Sequence, residues 1–192
     1  MIEHLVQVLI QKEILDEERR EEYEYVLATK FEKIVAYSIL LLVALLIGKP
    51  LQGMLFALSF VSLRQTTGGF HAESFLGCLF GSTLTLLSAV KIIVPISERY
   101  TEVIGILLLL SILCILCFAP VNHPNLALTK EERKKHKYLS ICVLCVELGI
   151  IGVGEYLQMH FQRYMIASVI LCAVFILLAK IIGQEVKGDE RK

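Results

Sequence analysis

Charged residues are nearly absent from the middle of this chain. Residues 34–119 hold only seven of its 38 charged side chains, whereas residues 1–33 hold fourteen. Overall the chain is 56% hydrophobic and 20% charged, which is more apolar and less charged than a typical soluble domain. This distribution favours a membrane protein and argues against a soluble enzyme or a disordered chain. A formal net charge of zero leaves no basic surface for binding nucleic acid.

Six apolar stretches predict the membrane-spanning helices. A helix needs about 20 apolar residues to cross a hydrocarbon core of about 30 Å, and an open sheet would leave peptide groups unpaired in lipid. The stretches are Ile34–Gly48, Leu51–Leu63, Phe75–Ile96, Val103–Phe118, Leu139–Leu157 and Tyr164–Ile182. The second has only thirteen residues, so it is short, tilted or partly re-entrant. We predict an all-α, polytopic membrane protein with about six transmembrane helices.

The distribution of lysine and arginine predicts the orientation of these helices. With residues 1–33, 64–74, 120–138 and 180–192 in the cytoplasm, fifteen basic residues lie inside and four outside. Cytoplasmic loops normally carry this excess, so both termini are predicted to be cytoplasmic. If the short second stretch did not cross, the bias would disappear. The charge distribution therefore favours a real crossing there.

The first 33 residues form a segment of their own ahead of the apolar stretches. They lack the apolar core and the cleavage site of a signal peptide. Apolar residues on one helical face, followed by the acidic run Glu13–Glu24, predict an amphipathic helix that lies against the membrane. Alternatively, this face docks a partner peptide. The chain then divides into a cytoplasmic segment 1–33, a single transmembrane domain 34–182 and a cytoplasmic tail 183–192.

Two pairs of cysteines have the spacing of zinc ligands. Cys114-x-x-Cys117 and Cys142-x-x-Cys145 would suggest a zinc site in a soluble chain. Both pairs lie inside apolar runs, where four thiolates are difficult to solvate. Small thiols packed between helices are the simpler interpretation, so we expect no metal site and no cofactor. A metal-binding or thiol-redox membrane protein is the weaker alternative.

Cys78 differs from the other cysteines because a polar, glycine-bearing segment precedes it. A thiol becomes a strong nucleophile when an imidazole takes its proton or a helix N-terminus stabilises the thiolate. His71 lies seven residues earlier, about 10.5 Å away along a straight helix and beyond hydrogen-bond reach. A working pair therefore needs a reversal at Gly68-Gly69, a break near Gly77 or a subunit contact. Otherwise Cys78 is an ordinary packing or capping residue.

The pattern Arg64-x3-Gly68-Gly69-Phe70-His71-Ala72-x5-Cys78 resembles the accessory gene regulator B (AgrB) family. A second stretch, 119–126, followed by a basic run, is also similar to the family, and the similarity covers nearly the whole chain. The family consists of membrane cysteine endopeptidases of Gram-positive bacteria that process a quorum-sensing propeptide. The resemblance implies a bacterial cell membrane protein with an AgrD-like propeptide as its substrate, and a homodimer.

The resemblance also implies roles for individual residues. Cys78 is the nucleophile and His71 the base, while a Cys or Ser side chain within the peptide closes a thiolactone or lactone ring. Arg64 and Gly69 occupy positions that the family treats as essential. We predict that Arg64 binds a propeptide carboxylate, for which arginine is well suited. The alternative is a snorkelling anchor at the end of the second helix.

Two charged features leave alternatives open. The basic run Lys130–Lys137 is either a positive-inside anchor or a surface that steers an acidic propeptide tail. Glu147 lies deep in the fifth stretch, and an ionisable residue within the membrane indicates a function by default. A non-enzymatic transporter or exporter subunit built around Glu147 is therefore the alternative function. It predicts that Cys78→Ala keeps activity and that Glu147→Gln loses it.

Overall fold

The computed structural model describes residues 2–11, 14, 16–70, 72, 74–121 and 128–184. These residues form helices joined by short connections, with one isolated β-bridge, and they confirm the all-α prediction. The α-helices of the described part are α1 Ile2–Gln11, α2 Arg20–Leu46, α3 Pro50–Thr67, α4 Phe75–Ser88, α5 Val94–Arg99, α6 Thr101–Phe118, α7 Lys130–Tyr156 and α8 Gln162–Ile182. A π turn at Ala89–Ile93 joins α4 to α5.

In the part of the chain that the structure describes, four helical segments are long and apolar enough to cross a membrane. They are Phe75–Arg99, Thr101–Phe118, Lys130–Tyr156 and Gln162–Ile182. Large apolar side chains such as Phe80, Leu109 and Val146 are exposed on their outer surfaces, as lipid contact requires. Several apolar helices thus indicate a multi-pass membrane protein. Because α2 and α3 fall outside this set, the count of six remains a prediction.

The N-terminal residues and the first apolar stretch are more continuous than the sequence suggested. The short helix α1 packs against α2 and buries Val6 completely. Helix α2 then runs unbroken through the predicted boundary at residues 33 and 34, with its charged half first and its apolar half second. The change from charged to apolar residues therefore occurs within one continuous helix and not at a break in the backbone.

Helix α3 is longer than the apolar stretch that predicts it. Its 18 residues span about 27 Å, because the polar residues after Leu63 continue the helix to Thr67. The hydroxyls of Thr66 and Thr67 both donate to the Leu63 carbonyl at 2.9 Å, so they are satisfied within the helix. This corrects the predicted loop 64–74, which begins only at Gly68.

The predicted loop 120–138 is corrected in the same way. Helix α7 begins at Lys130, and a capping box fixes its start. The Thr129 hydroxyl accepts from the Glu132 N–H, and the Glu132 carboxylate accepts from the Thr129 N–H at 2.9 Å. This reciprocal pair satisfies two of the free donors at a helix N-terminus. The basic run therefore forms the first turns of α7.

Helix α8 lies at the centre of the bundle, packed against α3, α6 and α7. At one end of the bundle, the Ser140 hydroxyl donates to the Thr66 carbonyl at 3.1 Å and Lys180 lies over the Phe118 ring at 5.1 Å. At the opposite end, Arg163 donates to the Ser97 carbonyl. The α3–α4 and α6–α7 connections therefore share one end, as alternating crossings require. The side of the membrane that this end faces remains a prediction.

Candidate active site

Two glycines end helix α3 and turn the chain towards α4. Gly68 has a φ of +67° and Gly69 a φ of +118°. Glycine reaches such angles at little cost, whereas a side chain at the same position would strain the backbone. The backbone therefore leaves the helical path at Gly68-Gly69, directly after Thr67. Whether this change of direction brings His71 back towards Cys78 remains a prediction.

Arg64 holds this turn from the last turn of α3. Its half-buried guanidinium donates through Nη1 to the Gly68 carbonyl and through Nη2 to the Phe70 carbonyl. The guanidinium also lies over the Phe175 ring, 5.2 Å from its centroid. Arg64 therefore supports the loop by a two-pronged contact, for which a guanidinium is suited by its shape. Binding of a propeptide carboxylate by Arg64 remains a prediction.

Two distant segments bind two further backbone groups of the turn. The Phe70 N–H donates to the Phe175 carbonyl of α8 at 2.9 Å, and the Val121 N–H donates to the Thr67 carbonyl at 2.9 Å. Gly68 and Val121 form a parallel β-bridge. Val121 belongs to the second stretch that resembles the AgrB family, so the structure brings the two sequence motifs into contact. Residues 122–126 of that stretch lie outside the described residues.

Cys78 is exposed in the first turns of α4, close to the turn. The Ser74 hydroxyl caps this helix by accepting from the Gly77 N–H at 3.1 Å, and the Cys78 N–H donates to the Ser74 carbonyl at 3.0 Å. The thiol therefore lies in the first turn of α4, one residue after the Gly77 N–H that Ser74 caps.

His71 lies outside the described residues, as does Glu73. Helix α3 ends four residues before His71, and α4 begins four residues after it. The distance between the His71 imidazole and the Cys78 sulfur therefore remains a prediction, and so does the role of His71 as a base.

Comparison with known proteins identifies the family. The family model "Accessory gene regulator B" matches residues 2–182, nearly the whole chain. The chain belongs to the AgrB family. It is also 34% identical, over 129 residues, to "Putative AgrB-like protein 1" of Clostridium perfringens, an alignment that covers 66% of this chain and 68% of the relative. No solved structure matches the chain.

Membership of the AgrB family implies a role in the accessory gene regulator system, which produces a peptide autoinducer. It agrees with the resemblance that the motif around Cys78 carries. Both of the motifs that the structure brings into contact belong to the sequence pattern that resembles this family. The chemistry at Cys78 is a separate question, taken up below as a proposal.

The other cysteines differ from Cys78 in their surroundings. Cys114 and Cys172 are buried, and their thiols approach the carbonyls of Ala173 and Phe60 at 3.8 Å. Such contacts between neighbouring helices are what packing of small thiols predicts. Cys117 and Cys145 are exposed on α6 and α7, whose outer faces are apolar. Among the described residues, no group of three or more His, Cys, Asp or Glu side chains is close enough to hold a metal ion.

Phe175 is the site residue that sequence reasoning missed. Its ring and its carbonyl both contact the turn, yet it lies more than 100 residues beyond Arg64 in an ordinary apolar run. No local pattern distinguishes it from the other apolar residues of α8. The sequence does point to Val121, because this residue belongs to the second stretch that resembles the family. It does not predict the hydrogen bond from Val121 to Thr67.

A Gly69→Ala substitution tests whether the turn must have this shape. A Cβ at Gly69 would meet Nη1 of Arg64 and would lie 3.1 Å from the backbone carbon and oxygen of Phe175, at a φ that disfavours alanine. We expect a loss of about 1–3 kcal/mol in unfolding free energy, because the turn must shift to accommodate the methyl group. Thermal melting measures this loss.

Gly81→Ala is the matched control for this substitution. Gly81 lies within α4, and a Cβ there meets no heavy atom within 4 Å. Alanine favours a helix by up to about 1 kcal/mol over glycine, so stability is expected to stay the same or rise. Equal effects of the two substitutions on the melting temperature would contradict the importance of the turn.

Proposed function

We propose that this chain is a membrane-embedded cysteine endopeptidase that cleaves an AgrD-like propeptide and promotes its cyclisation. The observation that carries the proposal is the position of Cys78 in an AgrB family chain. Its exposed thiol lies in the first turns of a capped helix, beside a turn that Arg64 holds. A reactive thiolate needs this combination of access and positive potential.

The first step is the cleavage of a backbone amide. His71 takes the proton of the Cys78 thiol, and the resulting thiolate attacks the carbonyl carbon of the scissile bond. A carbon–sulfur bond forms and the carbon–nitrogen bond breaks. The proton passes from His71 to the leaving amine, which departs with the C-terminal segment of the propeptide. The N-terminal part remains on Cys78 as a thioester.

The second step is ring closure. His71, neutral after the first step, takes the proton of a Cys thiol or Ser hydroxyl within the bound peptide. The sulfur or oxygen of that group bonds to the thioester carbonyl carbon, the bond from this carbon to the Cys78 sulfur breaks, and Cys78 leaves as the thiolate. The product is a thiolactone or a lactone. The thioester retains the activation of the acyl group, so this exchange needs no ATP. Water would compete with the attacking side chain, so a site at the membrane boundary favours closure over hydrolysis.

The start of α4 also offers stabilisation for the oxyanion of each step. The first N–H groups of a helix have no acceptor within the helix, and the Ser74 hydroxyl occupies only that of Gly77. The N–H groups of Phe75 and Leu76 are therefore the candidates to donate to the developing negative charge. They belong to the same helical turn as the nucleophile, which fixes their distance from it.

The basic start of α7 suits the proposed substrate and orientation. Its run of lysine and arginine lies at the same end of the bundle as the turn and would attract an acidic C-terminal segment of the propeptide. The positive-inside rule places this end in the cytoplasm, together with both termini. The active site is then cytoplasmic. A homodimer is a further part of this proposal, on family grounds alone.

Alkylation of Cys78 tests the thiolate–imidazole pair directly. In purified protein we expect iodoacetamide to label Cys78 faster than the buried Cys172 at neutral pH, and the His71→Ala variant to lose this rate by about ten- to thirtyfold. Mass spectrometry of peptide fragments measures each cysteine separately. The partly exposed Cys142 in the same sample is the internal control, because its rate is expected to be unaffected by His71→Ala. An unchanged rate at Cys78 in the variant would remove His71 from the mechanism.

A further inference from the structure

A groove of about 570 Å³ lies between α3 and α7, and neither Cys78 nor the Gly68-Gly69 turn is among its lining residues. Its walls are almost entirely apolar, with Leu55, Leu58, Val143, Val146, Ile150 and Met165 among the lining residues. Three polar groups lie in the same wall, namely Ser59, Ser62 and Glu147. An apolar cleft of this size with a few polar groups has the usual character of a ligand site.

Glu147 is the unusual member of this wall. It is only 3% exposed, and its Oε2 has no hydrogen-bond partner among the described residues. Its Oε1 accepts from the Ser62 hydroxyl at 3.0 Å. That hydroxyl also reaches the Ser59 carbonyl at 2.9 Å, and its single hydrogen serves one acceptor at a time. As a carboxylate, Glu147 is therefore short of donors, because Oε1 shares one hydroxyl with a carbonyl and Oε2 has no partner among the described residues. Such a deficit is rare for a buried polar group.

The depth of Glu147 limits what supplies the missing donor. It lies eight residues after Leu139 and ten before Leu157, the ends of the apolar part of α7, so it is about 12–15 Å from either end. Lipid acyl chains carry no donor at this depth, and lipid headgroups lie beyond its reach. The backbone N–H groups of a helical peptide are hydrogen-bonded within the helix, so only a side chain of such a peptide can donate a hydrogen bond to Glu147.

We propose that the groove between α3 and α7 binds an apolar membrane-embedded peptide helix whose single hydrogen-bond-donating side chain is received by Glu147 and Ser62. The apolar walls hold the body of the helix, and the polar pair selects the helix that carries a donor at the matching depth. Neither Cys78 nor the turn takes part in this binding, so the site is independent of the proposed cleavage chemistry.

The test uses two synthetic peptides and the cysteines that the protein already carries. One peptide is a 20-residue Leu/Ala helix with Asn at its centre, and the other has Leu in place of Asn. Cys142 lines the groove, whereas Cys145 is exposed on the same helix and does not line it. The full chain is placed in phosphatidylcholine nanodiscs with either peptide. Alkylation of both cysteines by a membrane-permeant maleimide is then followed by mass spectrometry.

We expect the Asn peptide to protect Cys142 at a peptide-to-lipid ratio about three- to thirtyfold lower than the Leu peptide, with no protection of Cys145. Glu147→Leu should remove this difference, while Cys78→Ala should leave it unchanged. A third peptide, with Asn moved seven residues towards one end, should lose the advantage in the wild-type protein, so the test does not depend on the folding of a variant.

Three results would overturn the proposal. If neither peptide protects Cys142, the groove is not a peptide site. If all peptides protect it equally, no donor is recognised. If the Asn peptide keeps its advantage in a folded Glu147→Leu variant, the donor is received elsewhere. Each result leaves cleavage at Cys78 unaffected, because the readout involves no propeptide and no peptidase activity.

Discussion

The Cys78→Ala variant is expected to lose propeptide cleavage by about 10⁴-fold or more in kcat. Without the sulfur no thioester forms, and no other described cysteine lies in the first turns of a helix beside the Gly68-Gly69 turn. Because Cys78 is exposed, its removal takes away little buried contact, and the thermal melting temperature should stay near that of the wild type. Mass spectrometry of the products formed from a synthetic propeptide in nanodiscs measures the loss.

Cys145→Ala is the matched control, since it removes an equally exposed thiol from another helix. It is expected to cleave at the wild-type rate. The opposite pattern, with an active Cys78→Ala variant and an inactive Glu147→Gln variant, would reject the endopeptidase and favour the transporter alternative. Glu147→Gln is therefore worth measuring in the same series.

The apolar helices of this fold are largely predictable from the sequence. In a bilayer every backbone polar group must be paired within its own segment, so an apolar stretch of sufficient length has helix as its only common form. Each of the six stretches does contain a helix. The two corrected loops show where hydropathy fails. Arg64–Thr67 and the first turns of α7 are polar yet helical, because local hydrogen bonds rather than hydropathy decide where a helix ends.

The start of α7 can be predicted from the sequence, whereas the end of α3 can be predicted only in part. Thr129 and Glu132 have the spacing of a capping box, so the amino-acid sequence by itself marks the start of α7. The end of α3 depends on Gly68, and a glycine alone does not say which of several polar residues before it is the last in the helix. The backbone bonds of α3 continue to that glycine, whose N–H donates to the Arg64 carbonyl at 3.1 Å, while the hydroxyls of Thr66 and Thr67 are satisfied by the Leu63 carbonyl.

The local contacts of the candidate site can be predicted from the sequence, whereas its contacts between distant segments cannot. The motif from Arg64 to Cys78 lies within 15 residues, so its turn and its capped helix follow from nearby sequence. The contacts of Phe175 and Val121 join segments more than 50 residues away. Such contacts depend on how whole helices pack, and a single sequence carries no signal of that packing. For this reason the sequence predicts Arg64 only as a substrate-binding residue or an anchor. Its hydrogen bonds to the Gly68 and Phe70 carbonyls are seen only in the structure.

Arg64→Lys is expected to lower kcat by about 100-fold while keeping the positive charge. A lysine ammonium reaches one of the Gly68 and Phe70 carbonyls but does not span both, and the one left unpaired costs about 1–3 kcal/mol of stability. The turn then shifts relative to Cys78, which slows the chemical step. Steady-state cleavage separates kcat from KM, and Arg99→Lys, the same change at an exposed position, should alter neither. A rise in KM with kcat unchanged would instead support the prediction that Arg64 binds a propeptide carboxylate.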